Sequence, residues 1–198
     1  MKRHAPAAER NKEVIVEVLA AELRNPCTLL EIASGTGQHA VHIAGRLPHV
    51  VVQPSDVSVE AVASIAAYRA EAALDNLRAP VTLDVESDAW PELGAVEAML
   101  CCNMIHIAPW SAAEGLFRGA GRVLPSGAPV FLYGPFRFDG RYTAQSNAAF
   151  DASLRDRDPS WGVRDVADLT SLAQDNGLSK ERVFEMPANN HVILFRRQ

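Results

Sequence analysis

The sequence predicts an α/β fold built on a mostly parallel sheet, and three observations predict it. Short apolar runs at 28–32, 50–52, 81–85, 98–105 and 129–133 alternate with stretches of helical spacing, the pattern of helices laid on both faces of a parallel sheet. The first run leads straight into Ser34-Gly-Thr-Gly37, a strand-to-helix glycine turn. The last two runs, 181–186 and 191–196, are separated only by Pro187-Ala-Asn-Asn190, so they close the sheet as an antiparallel hairpin. The expectation is a Rossmann-like, doubly wound, seven-stranded, mostly parallel sheet with a C-terminal antiparallel hairpin strand, in a single domain over 1–198.

The elements follow in order. Residues 9–23 set Val14, Ile15, Val18, Leu19 and Leu23 at helical spacing, and Asn25-Pro26 ends that helix because proline disfavours a helical residue before it. After the first strand and the glycine turn, 38–46 reads as a helix closed by Pro48, and 50–52 as a strand stopped by Pro54. An alanine-rich helix over 58–77 offers Val62, Ile65, Ala66 and Leu74 for packing. Strands at 81–85 and 98–105, a helix at 112–123, the turn Leu124-Pro-Ser-Gly127 and a fifth strand at 129–133 complete the regular part. The segment 134–147 carries Gly, Pro, Arg and aromatic residues with neither period, which reads as a long functional loop. Helices near 147–155 and 164–176 follow, the latter capped by Gly177.

Composition narrows the function classes. The 198 residues are 48% hydrophobic and 22% charged, ample for a buried core, and the net charge is −5. Lysine occurs only at 2, 12 and 180, and the arginines are scattered, so neither nucleic acid nor an anionic membrane is an expected partner. Cys27, Cys101 and Cys102 are odd in number and lack paired spacing, which argues against a disulfide framework or a CxxC site. The start of the chain lacks the apolar centre of a signal peptide, and no run approaches the ~18 apolar residues of a membrane span. A soluble, cytoplasmic protein is expected.

The chemistry centres on Leu29-Leu-Glu31-Ile-Ala33-Ser-Gly35-Thr-Gly37-Gln-His39. Its glycines let the backbone turn sharply and approach a ligand, and the helix start that follows offers unpaired N–H groups, a geometry suited to a nucleotide-like cofactor. Gly35-x-Gly37-x-x-Ala40, with Asp56 19 residues after Gly37, also fits a loose dinucleotide fingerprint and hence a nicotinamide-dependent oxidoreductase. Against that reading, an acid at Glu31 immediately precedes the turn. No lysine occurs from 13 to 179, which removes both the Tyr-x-x-x-Lys pair of short-chain dehydrogenases and a Walker A loop.

The segment resembles motif I of the class I S-adenosylmethionine-dependent methyltransferases, an acidic residue followed by alternating glycines. Glu31 takes the acidic place, Gly35 and Gly37 match the second and third glycines, and Ala33 replaces the first. Asp56 in Gln53-Pro-Ser-Asp56, Asp84 in Thr82-Leu-Asp84-Val85, Asn103-Met-Ile-His106 and Leu124-Pro-Ser-Gly127 arrive in the same register. Closer still, Ala7-Ala-Glu-Arg-Asn11-Lys, Ser34-Gly-Thr-Gly-Gln-His39, Glu114-Gly-Leu-Phe-Arg118, Leu132-Tyr-Gly-Pro-Phe136 and Ser146-Asn-Ala-Ala-Phe-Asp151 resemble a compact, poorly characterised methyltransferase-like family of bacteria and animals.

The resemblance implies S-adenosylmethionine as cofactor, with S-adenosylhomocysteine as product. It implies that Glu31 faces the cofactor's amino-acid end, that Ala33, Ser34, Gly35, Thr36 and Gly37 line its backbone-bound side, and that His39 walls the pocket. Asp56 with Ser58 would hold the ribose, Asp84 with Val85 the adenine, and Asn103, Met104 and Ile105 would complete the cofactor contacts. His106 is a candidate general base, the alternative being a histidine that caps a strand end. A compact chain without an added recognition domain leads to the expectation of a small-molecule acceptor, with a peptide or protein side chain as the alternative. The one Pro-Cys pair, Pro26-Cys27, precedes the first strand, and no Asn/Asp-Pro-Pro-aromatic motif occurs, which argues against a nucleic-acid substrate. Its wall is assigned to Arg10 and Asn11, in an N-terminal segment (1–25) that would lid the pocket, and to Tyr133, Arg137, Tyr142, Ser146 and Asn147 in or beside the 134–160 region. His39 and His42 share a helical face without a convincing carboxylate, so no metal is expected. A cofactor-binding regulator without catalysis would carry the same binding residues.

Overall fold

Helices and strands form where the apolar periodicity places them, and the differences lie at their ends. The computed structural model describes all residues, Met1–Gln198. In one compact unit (Met1–Asp84 with Ala89–Leu100) lie α1 (Pro6–Glu22), β1 (Cys27–Ile32), α2 (Gln38–Arg46), β2 (Val50–Asp56), α3 (Val59–Ala72), β3 (Val81–Thr82) and the start of β4 (Ala98–Cys102). The second unit (Val85–Asp88 with Cys101–Gln198) holds α4 (Trp110–Val123), β5 (Pro129–Gly134), β6 (Arg137–Phe138), β7 (Arg141–Tyr142), α5 (Gln145–Arg157), α6 (Val166–Asp175), β8 (Leu178–Met186) and β9 (Asn190–Arg197).

The main sheet has seven strands in the order β3-β2-β1-β4-β5-β9-β8. β1 runs parallel to β2 and β2 to β3, whereas β9 is antiparallel to both β5 and β8. This is the mostly parallel sheet with a closing hairpin that the sequence predicts. No helix is long and apolar enough to cross a membrane.

Strands covered on both faces have no solvent side, so they read as continuous apolar runs. In β1, Leu29, Leu30 and Ile32 are fully buried, as are Val50 and Val52 of β2. In the second unit Phe117 of α4 meets Phe195 of β9 edge to face, with ring centroids 5.1 Å apart. Each such large apolar side chain contributes roughly 1.5–3 kcal/mol by leaving water. Along α1, the buried stripe Ile15, Val16 and Leu19 faces inward, and Pro6 opens the helix where a missing N–H costs nothing. Upstream of it, Arg3 N–H donates to Ser64 Oγ (2.9 Å) and Ala5 N–H to Gln38 Oε1 (2.7 Å), which ties the first residues to α3 and α2.

Several expected boundaries are corrected. β2 continues through Pro54 to Asp56, because the ladder to its outer neighbour is broken there and the Gln53 amide instead bonds the carbonyls of Pro54 and Ala79. α3 stops at Ala72, where Ala73 turns left-handed (φ 49°), rather than at residue 77. β3 spans two residues instead of five. β4 ends at Cys102, not 105, because Asn103 takes φ 62° and starts a single 3-10 turn over Met104–His106. The expected loop 134–147 contains a hairpin, β6 against β7, whose Asp139-Gly140 turn has φ of 51° and 78°, the doubly left-handed turn that suits twisted strands.

Asp165 joins this hairpin to α6. One carboxylate oxygen caps the helix at Ala167 N–H (2.9 Å) and the other accepts Gly140 N–H (2.6 Å). Asp165→Ala should lower unfolding free energy by about 1–2 kcal/mol, with Asp165→Asn recovering the cap, as measured by urea denaturation. An unchanged midpoint for the alanine variant would contradict this account.

Candidate functional site

Three left-handed residues shape the turn after β1. Ala33, Gly35 and Gly37 have φ of 54°, 58° and 95°. At Gly37 a Cβ would stand 2.9 Å from the Ile65 backbone, so only glycine fits. Ala33 takes a conformation that costs a side-chain-bearing residue roughly 1–2 kcal/mol. Hydroxyls lace the turn to β2: Ser55 Oγ and Ser34 Oγ both donate to the Glu31 carbonyl (2.7 and 3.3 Å), and Ser34 N–H donates to the Ser55 carbonyl (2.8 Å). Thr36 Oγ donates to Gln38 Oε1 (3.0 Å), and its carbonyl accepts Ser64 Oγ–H (2.8 Å). Asp56, at the end of β2, receives Gly35 N–H on one carboxylate oxygen and Ser58 N–H on the other, each at 2.9 Å. Each oxygen keeps a further lone pair for a hydroxyl donor. Ser58 also caps α3, accepting Ala61 N–H.

Glu31 is 1% exposed, and its Oε2 has no partner. Burial, with the Asp56 charge adding to it, pushes its carboxyl up to about 7. His39 lies alongside, with Nδ1 3.8 Å from Glu31 Oε1 and Nε2 2.7 Å from Asn11 Oδ1. With Asn11 oxygen accepting, Nε2 carries the proton; burial pushes the ring down to about 4, so His39 is neutral and does not neutralise Glu31. A buried acid with an orphaned oxygen beside a glycine turn fits a cationic, nitrogen-bearing ligand group. The chain's own polar residues thus fit an amino-acid-bearing nucleoside: Glu31 for its ammonium, Asp56 for vicinal hydroxyls.

Asn11 reaches this constellation through His39, whereas Arg10 is exposed on α1. Asp84 lies beyond the end of β3 and is exposed, so it does not end a strand as the sequence predicts; Val85 is buried. Gln38, Ser55 and Ser64 are buried polar residues that sequence reasoning missed. Their signal was a polar residue at a core-facing position of a helix or strand.

In the second unit, Asn103 N–H donates to the Tyr133 carbonyl (2.8 Å), and Asn103 O accepts His106 N–H (3.0 Å). Met104 is half-buried and Ile105 buried in the turn so formed. His106 has 0% exposure: Nδ1 accepts Arg164 N–H (3.3 Å), the ring meets Phe136 edge to face, and Nε2 has no partner. Its Nε2 packs where a side chain at Gly134 would begin, 2.4 Å from that position. Burial, and next the Arg164 charge, push His106 down to about 3. The structure thus gives His106 the surroundings of the structural alternative, a buried and neutral ring at the end of a strand, whereas a general base must reach the proton it takes.

Arg164, also missed, clamps the turn by donating to the carbonyls of Ile105 (2.8 Å), Ala108 (2.7 Å) and Ser160 (2.9 Å). Of the expected acceptor wall, Tyr133 is buried within β5, and Asn147 is a buried clasp that donates to Thr143 Oγ1 and the Asn189 carbonyl, both at 2.9 Å. That clasp holds Ala188 and Asn189, both left-handed at φ 59° and 58°. Ser146 is exposed and accepts from Asn189 Nδ2 (3.4 Å). Arg137 and Tyr142 face one another across the β6–β7 pair, and Tyr142 OH donates to Asp151 (2.9 Å), which also takes Arg155 and Val163 N–H. No group of three metal-ligating side chains occurs.

A family model described as a protein of unknown function, DUF938, matches residues 2–197. The chain belongs to the DUF938 family. Its fold is shared with solved methyltransferases. One is an O-methyltransferase family protein from Burkholderia thailandensis, with a TM-score of 0.82 and 15% identity, covering 97% of this chain and 57% of that one. Another is mitomycin 7-O-methyltransferase MmcR, at 0.81 and 16%, covering 96% and 54%. A third is an O-methyltransferase family 2 protein from Planctomyces limnophilus in complex with apigenin, at 0.76 and 15%, covering 94% and 62%. This DUF938 chain therefore spans a little over half the length of these structures.

Glu31 gives the site a pH signature. Its carboxyl is raised from 4.5 to about 7 in the fold, so between those values the native state holds more protons than the unfolded chain and stability falls as pH rises. The loss is on the order of 3 kcal/mol and is complete once the pH has passed through ~7. Glu31→Gln cannot ionise, so its stability relative to the parent should climb between pH 5 and 8 in denaturant titrations. A pH-independent difference would refute the buried, unpaired carboxyl.

Proposed function

We propose that this DUF938 protein is an S-adenosylmethionine-dependent methyltransferase acting on a small-molecule acceptor in the cytoplasm. The observation that carries the reading is Glu31, a buried acid whose Oε2 lacks a partner at the start of a glycine turn. The only cation of a nicotinamide dinucleotide is a quaternary ring nitrogen with no N–H to donate, whereas S-adenosylmethionine carries an ammonium that donates to such a group. When bound, that cofactor supplies a methyl group already activated by its sulfonium.

The protein's part is then binding and alignment. Glu31 accepts from the ammonium, and Asp56 accepts ribose hydroxyls on the lone pairs that Gly35 and Ser58 leave free. Gly37 keeps the backbone clear, and the lacing of Ser34 and Ser55 fixes where Glu31 stands. Asp84, exposed past β3, is assigned to the adenine amine. His106 is a positioning residue that shapes the Met104–His106 turn, so any proton released by the acceptor passes to another group or to solvent.

A small acceptor is supported by the net charge of −5 and by the mitomycin and apigenin names attached to proteins of the same fold. No disulfide joins Cys27, Cys101 or Cys102, which suits a reducing compartment.

Calorimetry with S-adenosylhomocysteine and NAD side by side tests the reading. S-adenosylhomocysteine should bind, more tightly at pH 8 than at pH 6, because its ammonium requires the ionised form of Glu31. Glu31→Gln should weaken it at least ~10-fold at pH 8, about 1.4 kcal/mol, and flatten the pH dependence. Binding of NAD without S-adenosylhomocysteine would sink the proposal.

A further inference from the structure

Most arginines of known surroundings in this protein have their charge matched or their donors used. Arg46 pairs with Glu13, Arg118 with Asp88, Arg155 with Asp151 and Arg196 with Glu181, while Arg164 and Arg197 bond backbone carbonyls. Arg137 differs. It is half-buried, its Nε is sealed from solvent without a hydrogen-bond partner, and no carboxylate pairs with it.

Two carboxylates that contact the hairpin are already committed. Asp151 is occupied by Tyr142, Arg155 and Val163 N–H, and Asp165 by Gly140 and Ala167 N–H. Arg164 is pushed down by burial and next by the Arg155 charge, with Asp151 opposing and Arg137 adding to the effect. Beside Arg137 the Tyr142 ring, 38% exposed and 5.8 Å from the guanidinium carbon, forms a flat floor. This excess of cationic donors stands three residues past the carboxyl end of β5, in a chain whose net charge is −5. In open α/β sheets ligands bind beyond such strand ends.

We propose that Arg137 recognises the carboxylate of a small molecule, with the Tyr142 ring as the platform on which that molecule's body rests. This carboxylate site does not depend on the methyltransferase reading. The guanidinium's Nη donors, unlike the sealed Nε, are open to a ligand and match two coplanar oxygens, so a carboxylate held there would neutralise a charge that no carboxylate of the protein meets. A neutral amide of the same shape would offer one acceptor oxygen and a repelled N–H₂.

Nitrogen-edited NMR of the whole protein, titrated with sodium benzoate and with benzamide, tests this. The Arg137 Nε–H signal is identified by its loss in Arg137→Gln. Benzoate should shift that signal saturably and benzamide should not. Arg137→Gln should weaken benzoate at least tenfold, and Arg137→Lys should weaken it less, keeping the charge but losing the fork. An unmoved Nε–H signal, equal binding of benzamide, or benzoate affinity unchanged in Arg137→Gln would each overturn the site. A parallel titration with S-adenosylhomocysteine separates the two ideas. If it fails to bind while benzoate moves Arg137, the cofactor reading falls and the carboxylate site stands; the converse result removes only the site.

Discussion

A carboxyl group closed away from water with nothing to neutralise it is the constraint around which the first unit is arranged. Holding Glu31 in place requires its own carbonyl to be pinned by two hydroxyls and the turn after it to pass through three left-handed residues. His39, the one nearby group that could have supplied a positive charge, is kept neutral by the same burial. Native proteins seldom leave such a group unpaired, because the cost is paid at all times and returned only when a partner arrives. Strain and desolvation concentrated in one turn are therefore better understood as preparation for a ligand than as a device for stability.

The second unit solves a different problem, that of holding irregular backbone without ligand help. The turn at Met104–His106 is enclosed by segment 160–164: Arg164 takes three carbonyls, its own N–H reaches the His106 ring, and Gly162 N–H bonds the His106 carbonyl. Asn147 does similar work for the left-handed pair Ala188 and Asn189. Polar side chains here substitute for secondary structure, each placed so that a buried backbone group finds a partner. Fold likeness to methyltransferases reports the scaffold, and the differences in chemistry among such proteins arise from segments of this kind.

What was legible in the sequence follows from which forces leave a periodic trace. The doubly buried strands are continuous apolar runs, and the alternation with helices fixed the sheet's architecture. The glycine turn and the acids Glu31 and Asp56 were readable because backbone conformation and charge demand particular residue types. Boundaries were less so: nothing in the local pattern announces that Asn103 turns left-handed or that Gln53 repairs the ladder around Pro54. The Asp139-Gly140 turn was a readable signal that the surrounding arginines and aromatics obscured. His106 shows the deeper limit. A histidine at a motif position and one sealed against a glycine look alike in sequence, and only burial distinguishes them.

Gly134 and His106 occupy one volume between them: the space a side chain would begin to fill at one position is taken by the ring of the other. Neither residue is therefore free to vary alone. A family member that acquires alanine at 134 must shrink or reorient the group at 106, and one that loses the imidazole opens a void that only a larger neighbour can close. The pair should behave in evolution as a single character, inherited or exchanged together, whatever the acceptor becomes.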